Sequence, residues 1–355
     1  MTNRRVSGAV TLRDVAVESG VSPATVSIVL NSAPLARYIP LQTRQRIERA
    51  AKNLGYRPNI LARSLRSKRN HTIGVVVFDI TDPYCTLVLR GIESALYQAS
   101  YVPILTDAHN ERVRFERCLE MLLDRRVEGL IVIANWLFVD VNLLADLEKR
   151  SIPTAVIGRE LETAISSVLV DNEAGAALAL EHLFTLGHSK IAFIRGPKTL
   201  GDSAARWRGV RNFARSKNLE IDPAVTVELP DSLDPKSAYE NGFRLTEELL
   251  RRKHRFTALM AFDDLTAFGA IRALEKAGMK VPDQCSVVGF DDVGPAAISA
   301  PPLTTVRQPM EGMGAASVSI VMDGISAAVE QVPFRPRRQK MAPELVVRES
   351  TRARR

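Results

Sequence analysis

The sequence predicts an α/β protein: a small all-helical helix-turn-helix headpiece followed by a larger core of parallel sheets. Three observations carry that reading. Thr11 to Asn31, TLRDVAVESGVSPATVSIVLN, holds two helix starts with a glycine between them. From Thr72 onward, short β-branched runs alternate with helical patterns, as right-handed βαβ units require. Charge is also uneven. Residues 1–71 carry 13 Lys and Arg against 3 Asp and Glu, while the whole chain is +8, leaving about −2 on residues 72–355.

Thr11 precedes an apolar-periodic run with Asp14 three residues on, a short capping box. Leu12, Val15 and Ala16 fall on one face of that first helix. Gly20 ends it, and Val21 is placed to plug the turn. Ser22 then Pro23 is a second start: a hydroxyl cap followed by a residue suited to the first helical position. Ala24, Thr25, Ser27 and Ile28 lie on the second helix beside buried-type Val26, Val29 and Leu30. A third helix spans about Thr43 to Leu54, with Ile47, Ala50, Ala51 and Leu54 inward and Gly55 as its stop. The basic stretch YRPNILARSLRSKRNHT then reads as a linker whose short helix forms only when docked on a partner. A helical hairpin alone would be ambiguous, but the localised positive charge is the footprint of a phosphate-binding segment.

In the core, the apolar runs IGVVVF, VPILTD, GLIVIA, PTAVIG, KIAFIRG, ALMAF and CSVVGFD are separated by helices such as LVLRGIESALYQ and LTAFGAIRALEKAG. There are too many units for one small sheet. Two similar halves are expected, one beginning near Ile73 and another near Val168–Asp171. Carboxylates recur where strands end, the edge at which open α/β sheets bind ligands. Asp79 and Asp82 follow the first strand, Asp107 the second, Asp263 and Asp264 follow ALMAF, and Asp291 and Asp292 follow VVGF. Arg206 lies inside the helix after IAFIRGP. Each carboxylate alone reads as a helix cap; together they suggest a cleft for a polar, polyhydroxylated small molecule.

Nucleotide cradles of the GxGxxG and GxxxxGK[ST] kinds are missing, as are HExxH, CxxC and GxSxG. No catalytic residue, metal ligand or cofactor is therefore expected. Cys85, Cys118 and Cys285 are scattered and odd in number, so they read as reduced core residues. His182 and His188 read as structural. No apolar run looks long enough to span a bilayer and the basic N-terminus has no apolar segment behind it, so a cytoplasmic location is expected.

These residues resemble the LacI/GalR family of bacterial transcription regulators over nearly the full length. The motifs are TLRDVAVESGVSPATVSIVLN, TRQRI…LGYRPNILARSL, VDNEAGAALALEHLFTLGHSKIAFIRGP, AFDDLTAFGAIRALEKAGMKVPDQCSVVGFDD and PPLTTVRQPMEGMG, in the family's order. The resemblance implies a DNA-binding headpiece at 1–57, a hinge helix and linker at 58–71, and a periplasmic-binding-protein-like core at 72–347. It implies discontinuous subdomains, about 72–165 with 299–325 and 166–298 with 326–347, then a basic tail at 348–355. It also implies a homodimer, or a tetramer built of dimers, on a pseudopalindromic double-stranded operator.

By position, the resemblance assigns phosphate contact and register to Thr11, Ser22, Thr25, Ser27 and Asn31, and base reading to Pro23, Ala24 and Ile28. Many members carry a donor at the position of Ile28, often arginine. Ile28 cannot donate, but with Ala24 it can meet a thymine methyl, which implies a different half-site read more by methyl contact and shape. Tyr56, Asn59, Ala62, Arg63 and Leu65 match the hinge and its approach, with Leu65 as the minor-groove wedge. The loop NSAPLARYIPLQ is longer than in the best-known members, and Arg37 in it is placed for an added backbone contact.

For the effector, the resemblance points to Asp79, Tyr84, Arg206, Asp263, Phe290 and Asp291. Carboxylates and a planar guanidinium suit sugar hydroxyls, so a sugar or sugar derivative is expected. Asp263 stands where the family often has asparagine, which removes a donor and adds charge. Tyr84, Trp207, Phe290 and Trp136 are candidates to stack on a ring. Effector binding is expected to shift subdomain closure, rotate the N-terminal subdomains of the dimer and set whether hinge helices pack on DNA. Repression is the expected outcome. The alternatives are a sugar-binding transport protein, against which the basic headpiece argues, and an α/β enzyme with an appended DNA-binding module, which lacks a nucleophile–base pair.

Overall fold

The computed structural model describes residues 10–31, 33–57, 69–134, 152–159, 165–231, 237–252 and 254–354. It comprises two compact units, residues 1–70 and 71–355.

In the first unit, helices α1 (Leu12–Ser19) and α2 (Pro23–Leu30) form as their caps dictate. Thr11 Oγ1 accepts from Asp14 N at 3.4 Å while Asp14 Oδ2 accepts from Thr11 N at 2.8 Å, the reciprocal capping box. Gly20 stops α1 with φ +63°, a backbone state that costs glycine nothing. Ser22 Oγ accepts from Thr25 N at 3.2 Å and Pro23 takes the first turn of α2. A 3₁₀ turn at Pro34–Tyr38 leads to α3 (Leu41–Leu54), which starts two residues earlier than its apolar stripe suggests. Val15, Ala16, Val26, Val29, Ile47, Ala50 and Ala51 form the core, with Leu12, Val21, Leu30, Leu54 and Tyr56 packed around it.

The second unit opens with β1 (Thr72–Val77), α4 (Pro83–Gln98), β2 (Val102–Asp107), α5 (Arg112–Asp124), β3 (Gly129–Ile133), β4 (Thr154–Ile157) and β5 (Ser166–Val170). It continues with α6 (Asn172–Thr185), β6 (Ile191–Arg195), α7 (Gly201–Ser216), β7 (Thr226–Glu228), α8 (Ser237–Arg251), β8 (Ala258–Ala261), α9 (Asp264–Lys276) and β9 (Ser286–Val288). Then come α10 (Pro295–Ile298), β10 (Thr305–Arg307), α11 (Met310–Glu330), β11 (Arg338–Met341) and β12 (Glu344–Val346). Two parallel sheets result, in the orders β11-β5-β4-β3-β1-β2 and β7-β6-β8-β9, with β10 and β12 paired antiparallel. The inner strands of both sheets are almost wholly buried, as strands covered on both faces must be, whereas the edge strands β2 and β11 are exposed or half-buried.

The change from one sheet to the other comes one strand later than expected. Ser166–Val170, expected to begin the second half, pairs with β4 and β11 in the first sheet. The second sheet starts at β6 instead, because Asp171 caps α6 and that helix carries the chain across. The return is also later. Helix α11 covers the first sheet, and β11, placed by expectation in the second subdomain, joins the first sheet beside β5.

Helix α11 is long and apolar enough, by length and composition, to cross a membrane, contrary to the reading of the sequence. In the fold its apolar face belongs to the core: Met310, Met313, Val318, Ile320, Val321 and Ile325 pack with α4 and the first sheet. The two helices nearly touch through glycine. A Cβ on Gly91 would sit 2.0 Å from Glu311 O, and one on Gly314 would sit 2.3 Å from Val88 O.

Residues 348–354 are no free tail. Ser350 is fully buried, its Oγ donating to Val287 O at 2.6 Å and its carbonyl accepting from Val287 N at 2.8 Å. His188 bonds Thr257 Oγ1 and the Arg352 carbonyl, and His182 bonds Thr351 Oγ1. Both histidines therefore tether the C-terminal segment to the second sheet, and burial lowers the pKa of each. Cys85, Cys118 and Cys285 are free thiols in the interior.

Candidate DNA-binding surface and ligand cleft

Capping decides what α2 presents. Pro23 and Ala24 are exposed at its first turn, and Thr25, Ser27 and Ile28 are half-buried on the next. Their hydroxyls are locally paired: Ser22 Oγ lies 2.8 Å from Thr25 Oγ1, and Asn31 Nδ2 donates to Ser27 O at 2.8 Å and Ser27 Oγ at 3.1 Å. The helix thus offers a polar start followed by the apolar surface of Ala24 and Ile28. Thr11 closes the start of α1 in its capping box. Tyr56 is half-buried against the headpiece core and its N–H donates to Ala51 O at 2.9 Å. Arg37 stacks on Tyr38 with its guanidinium carbon 4.7 Å from the ring centre and donates to the phenol at 2.8 Å. Asn59, Ala62, Arg63 and Leu65 lie outside the described residues.

In the core, a narrow cavity of about 40 Å³ opens where elements of the two sheets face each other. From the first sheet come Asp82 and Tyr84, at the start of α4. From the second come Asp202 and Arg206 on α7, Phe262, Asp263 and Asp264 at the end of β8, and Asp291 beyond β9, with Gln308 from the crossing segment. Four of the expected residues, Tyr84, Arg206, Asp263 and Asp291, are therefore brought to one wall. Asp79 is not. Its carboxylate accepts from Thr81 N at 2.8 Å and shapes the turn before α4. Phe290 lies behind the wall, fully buried, with its ring centre 3.6 Å from the Arg206 guanidinium carbon. Trp207 faces Arg195 and Phe193 on the other side of α7, and Trp136 lies outside the described residues.

Arg206 organises the wall. Its Nε donates to Asn172 Oδ1 at 2.8 Å, Nη1 to the Phe262 carbonyl at 2.6 Å, and Nη2 to Asp291 Oδ1 at 3.4 Å. Asp291 also accepts from Gln308 Nε2 at 2.6 Å, and its backbone is held at φ +117°, a region costly for a non-glycine residue. Asp263 caps α9 by accepting from Thr266 N at 2.7 Å, and Asp264 accepts from Val293 N at 2.9 Å and Thr305 Oγ1 at 2.5 Å.

Burial dominates the titration of these acids. It pushes Asp202 up to about 6 against the pull of Arg206 and Asn172, and Asp291 up to about 7 against Arg206. Asp263 is raised by burial, and Asp264 well raised by burial and the neighbouring Asp291 charge. Tyr84, sealed beside Asp202, is held well above the usual phenol range, first by burial.

A second cavity of about 410 Å³ shares Leu200 and Asp202 with the first. Its charged lining is mixed: Arg159, Arg208 and Lys340 with Asp171, Glu173 and Asp202. Arg208 Nε lies 2.7 Å from Glu173 Oε1, and Lys340 Nζ lies 3.5 Å from Asp171 Oδ2. Asn172, Asp202, Gln308, Arg159 and Lys340 escaped sequence reasoning. Asp202 was findable, since it stands four residues before Arg206 and so shares its helix face. Lys340 was not, because only the pairing of β11 with β5 brings it there.

Comparison with known proteins covers nearly the whole chain. The profile described as "Bacterial regulatory proteins, lacI family" matches residues 11–59, and "Periplasmic binding protein-like domain" matches residues 180–351. The HTH-type transcriptional repressor PurR of Photobacterium profundum is 32% identical over 344 residues, 96% of this chain and 98% of that one. Among solved structures, the lac repressor dimer bound to operator and the anti-inducer ONPF is 29% identical, with a TM-score of 0.81 over 98% of this chain and 100% of its own. The complex of transcriptional regulator CelR with cellobiose is also 29% identical, with a TM-score of 0.70 over 96% and 99%.

Proposed function

Because the chain belongs to the LacI family of bacterial regulatory proteins, we propose that it is a sequence-specific transcriptional repressor whose operator affinity is set by a small molecule. The observation that carries this is the coexistence of a capped helix-turn-helix, set in a basic segment, with a ligand-sized cleft between two sheets in one chain. It acts as a homodimer on a pseudopalindromic operator, in the cytoplasm, by binding rather than turnover. Thr11, Ser22, Thr25, Ser27 and Asn31 hold phosphates, Pro23, Ala24 and Ile28 meet base edges, and Tyr56, Asn59, Ala62, Arg63 and Leu65 serve the hinge and its minor-groove wedge. Ala24 and Ile28 favour thymine methyls over a guanine-reading pair.

The effector, a sugar or sugar derivative, is held by Tyr84, Arg206, Asp263 and Asp291. Phe290 supports Arg206 from behind and Asp79 supports the turn that delivers Tyr84. Binding couples to DNA only through unequal affinity for the open and closed arrangements of the two sheets. The test is selection of bound duplexes from a random library at fixed salt, with and without a metabolite panel. A palindromic consensus whose recovery one compound alters is the expected result. Salt-sensitive but sequence-blind binding would overturn the reading.

A further inference from the structure

The small cavity gathers five carboxylates, Asp82, Asp202, Asp263, Asp264 and Asp291, around one cation, Arg206. That cation is largely committed: three of its five N–H groups donate to Asn172, Phe262 and Asp291, and its guanidinium carbon lies 4.6 Å and 3.6 Å from the ring centres of Phe262 and Phe290. Gln308 Nε2 is likewise committed to Asp291. The carboxylates accept from Tyr84 N, Asn172 Nδ2, Thr266 N, Val293 N and Thr305 Oγ1 as well, but each keeps further lone pairs, so acceptors still outnumber donors on this wall. Tyr84 and Phe262 also line it. Carboxylates beside aromatic surface are the two kinds of group that hold an organic cation.

Size points the same way. A water needs roughly 10–15 Å³ of such space, so a cavity of about 40 Å³ admits a head group and no whole ring. The adjoining cavity of about 410 Å³ has the volume of a small-molecule site, and its charges are balanced in number and largely paired. Among the described residues, no three carboxylate, imidazole or thiol side chains are placed to hold a metal ion. An organic nitrogen fits the small cavity instead.

We propose that the effector carries a protonated nitrogen, seated in the acidic cavity among Asp202, Asp263 and Asp291, while a hydroxylated body fills the larger cavity. The inference rests on the effector-binding reading above and narrows its ligand from sugars in general to amino sugars and similar hydroxylated amines. An ammonium donates three hydrogen bonds and accepts none, matching the wall, and it offsets carboxylate charge that a neutral hydroxyl leaves uncompensated. Burial raises both Asp202 and Asp291 despite Arg206, and an ammonium seated between them would draw both back toward the ionised form.

Isothermal titration of the full chain tests it with matched probes: D-glucosamine, N-acetyl-D-glucosamine and D-glucose; the galactose trio; and putrescine against 1,4-butanediol. The expected result is that at least one amine binds, its neutral partners bind at least tenfold more weakly, and Asp263→Asn weakens the amine at least tenfold. Asparagine still caps α9, so this variant keeps its fold, checked by its melting curve. Neutral partners binding within threefold of the amines, or no amine binding at all, would overturn the proposal. Operator selection on the same preparation separates the two failures: a palindromic consensus with no amine response sinks only the ligand class, whereas loss of specific DNA binding sinks the regulator reading itself.

Discussion

Asp291 concentrates the tensions of the ligand wall. It is half-buried, held at φ +117°, bonded to Arg206 and Gln308, and pushed up to about 7 by desolvation. A carboxyl whose folded pKa is raised holds its proton longer in the folded state than in the unfolded one. Its contribution is then fully present below about pH 4 and is lost as pH rises through about 7. Asp202 acts in the same direction with its upper limit at about 6. These two acids therefore pull the melting temperature down between pH 5 and pH 8, while His182 and His188, whose pKa values burial lowers, act in the opposite direction within that window. Asp291→Asn, which tolerates the same backbone, should flatten that fall, because the group that loses its proton near 7 is gone while Asp202 still titrates near 6. Parallel curves for the two proteins would show that Asp291 is not the group responsible.

At the scale of elements, the contact between α4 and α11 depends on two glycines. Gly91 meets the backbone of Glu311, and Gly314 meets that of Val88, so neither neighbour can rotate away from an added methyl. Gly314→Ala should cost about 1–3 kcal/mol, the usual range for overpacking, read as a lower denaturation midpoint with an unchanged slope. The segment after β12 makes a second such dependence. Truncation after Glu349 removes the partners of Val287 N, Thr304 N and His182 and one of the two partners of His188. Leaving buried polar groups unpaired costs about 1–3 kcal/mol each, so the truncated chain should melt several degrees lower. An unchanged melting curve would mean that this segment only lies on the surface.

At the scale of the whole molecule, charge and chemistry are divided between the units: the positive excess sits in residues 1–71 and the ligand wall in the core. Operator binding should accordingly weaken steeply with salt, by about 10³–10⁵ between 50 and 200 mM if six to ten phosphates are neutralised. Gel-shift titrations across that range check it. A shallow dependence would argue that the basic segment does not engage the phosphates. Effector binding, which lies among buried groups, should respond far less to the same salt change, because buried charges are poorly screened.

The sequence by itself determined the headpiece, because its determinants are local. Thr11 with Asp14, Gly20, Ser22 with Pro23 and Gly55 each act within three or four residues, and each appears in the structure where the chain alone placed it. It also determined the alternation of strands and helices, since burial on both faces demands unbroken apolar runs. Tertiary structure decided what depends on pairing across distance. Ser166–Val170 reads equally well as the last strand of one sheet or the first of the next, and only its hydrogen bonds to β4 and β11 settle it. The same holds for the cleft. Asp79 and Asp263 look alike in sequence, as carboxylates at strand ends, and each accepts from its own following backbone, yet only Asp263 also lines the cavity. Whether a strand-end carboxylate that caps its own backbone also faces a ligand is set by the element packed opposite, and that is written only in three dimensions.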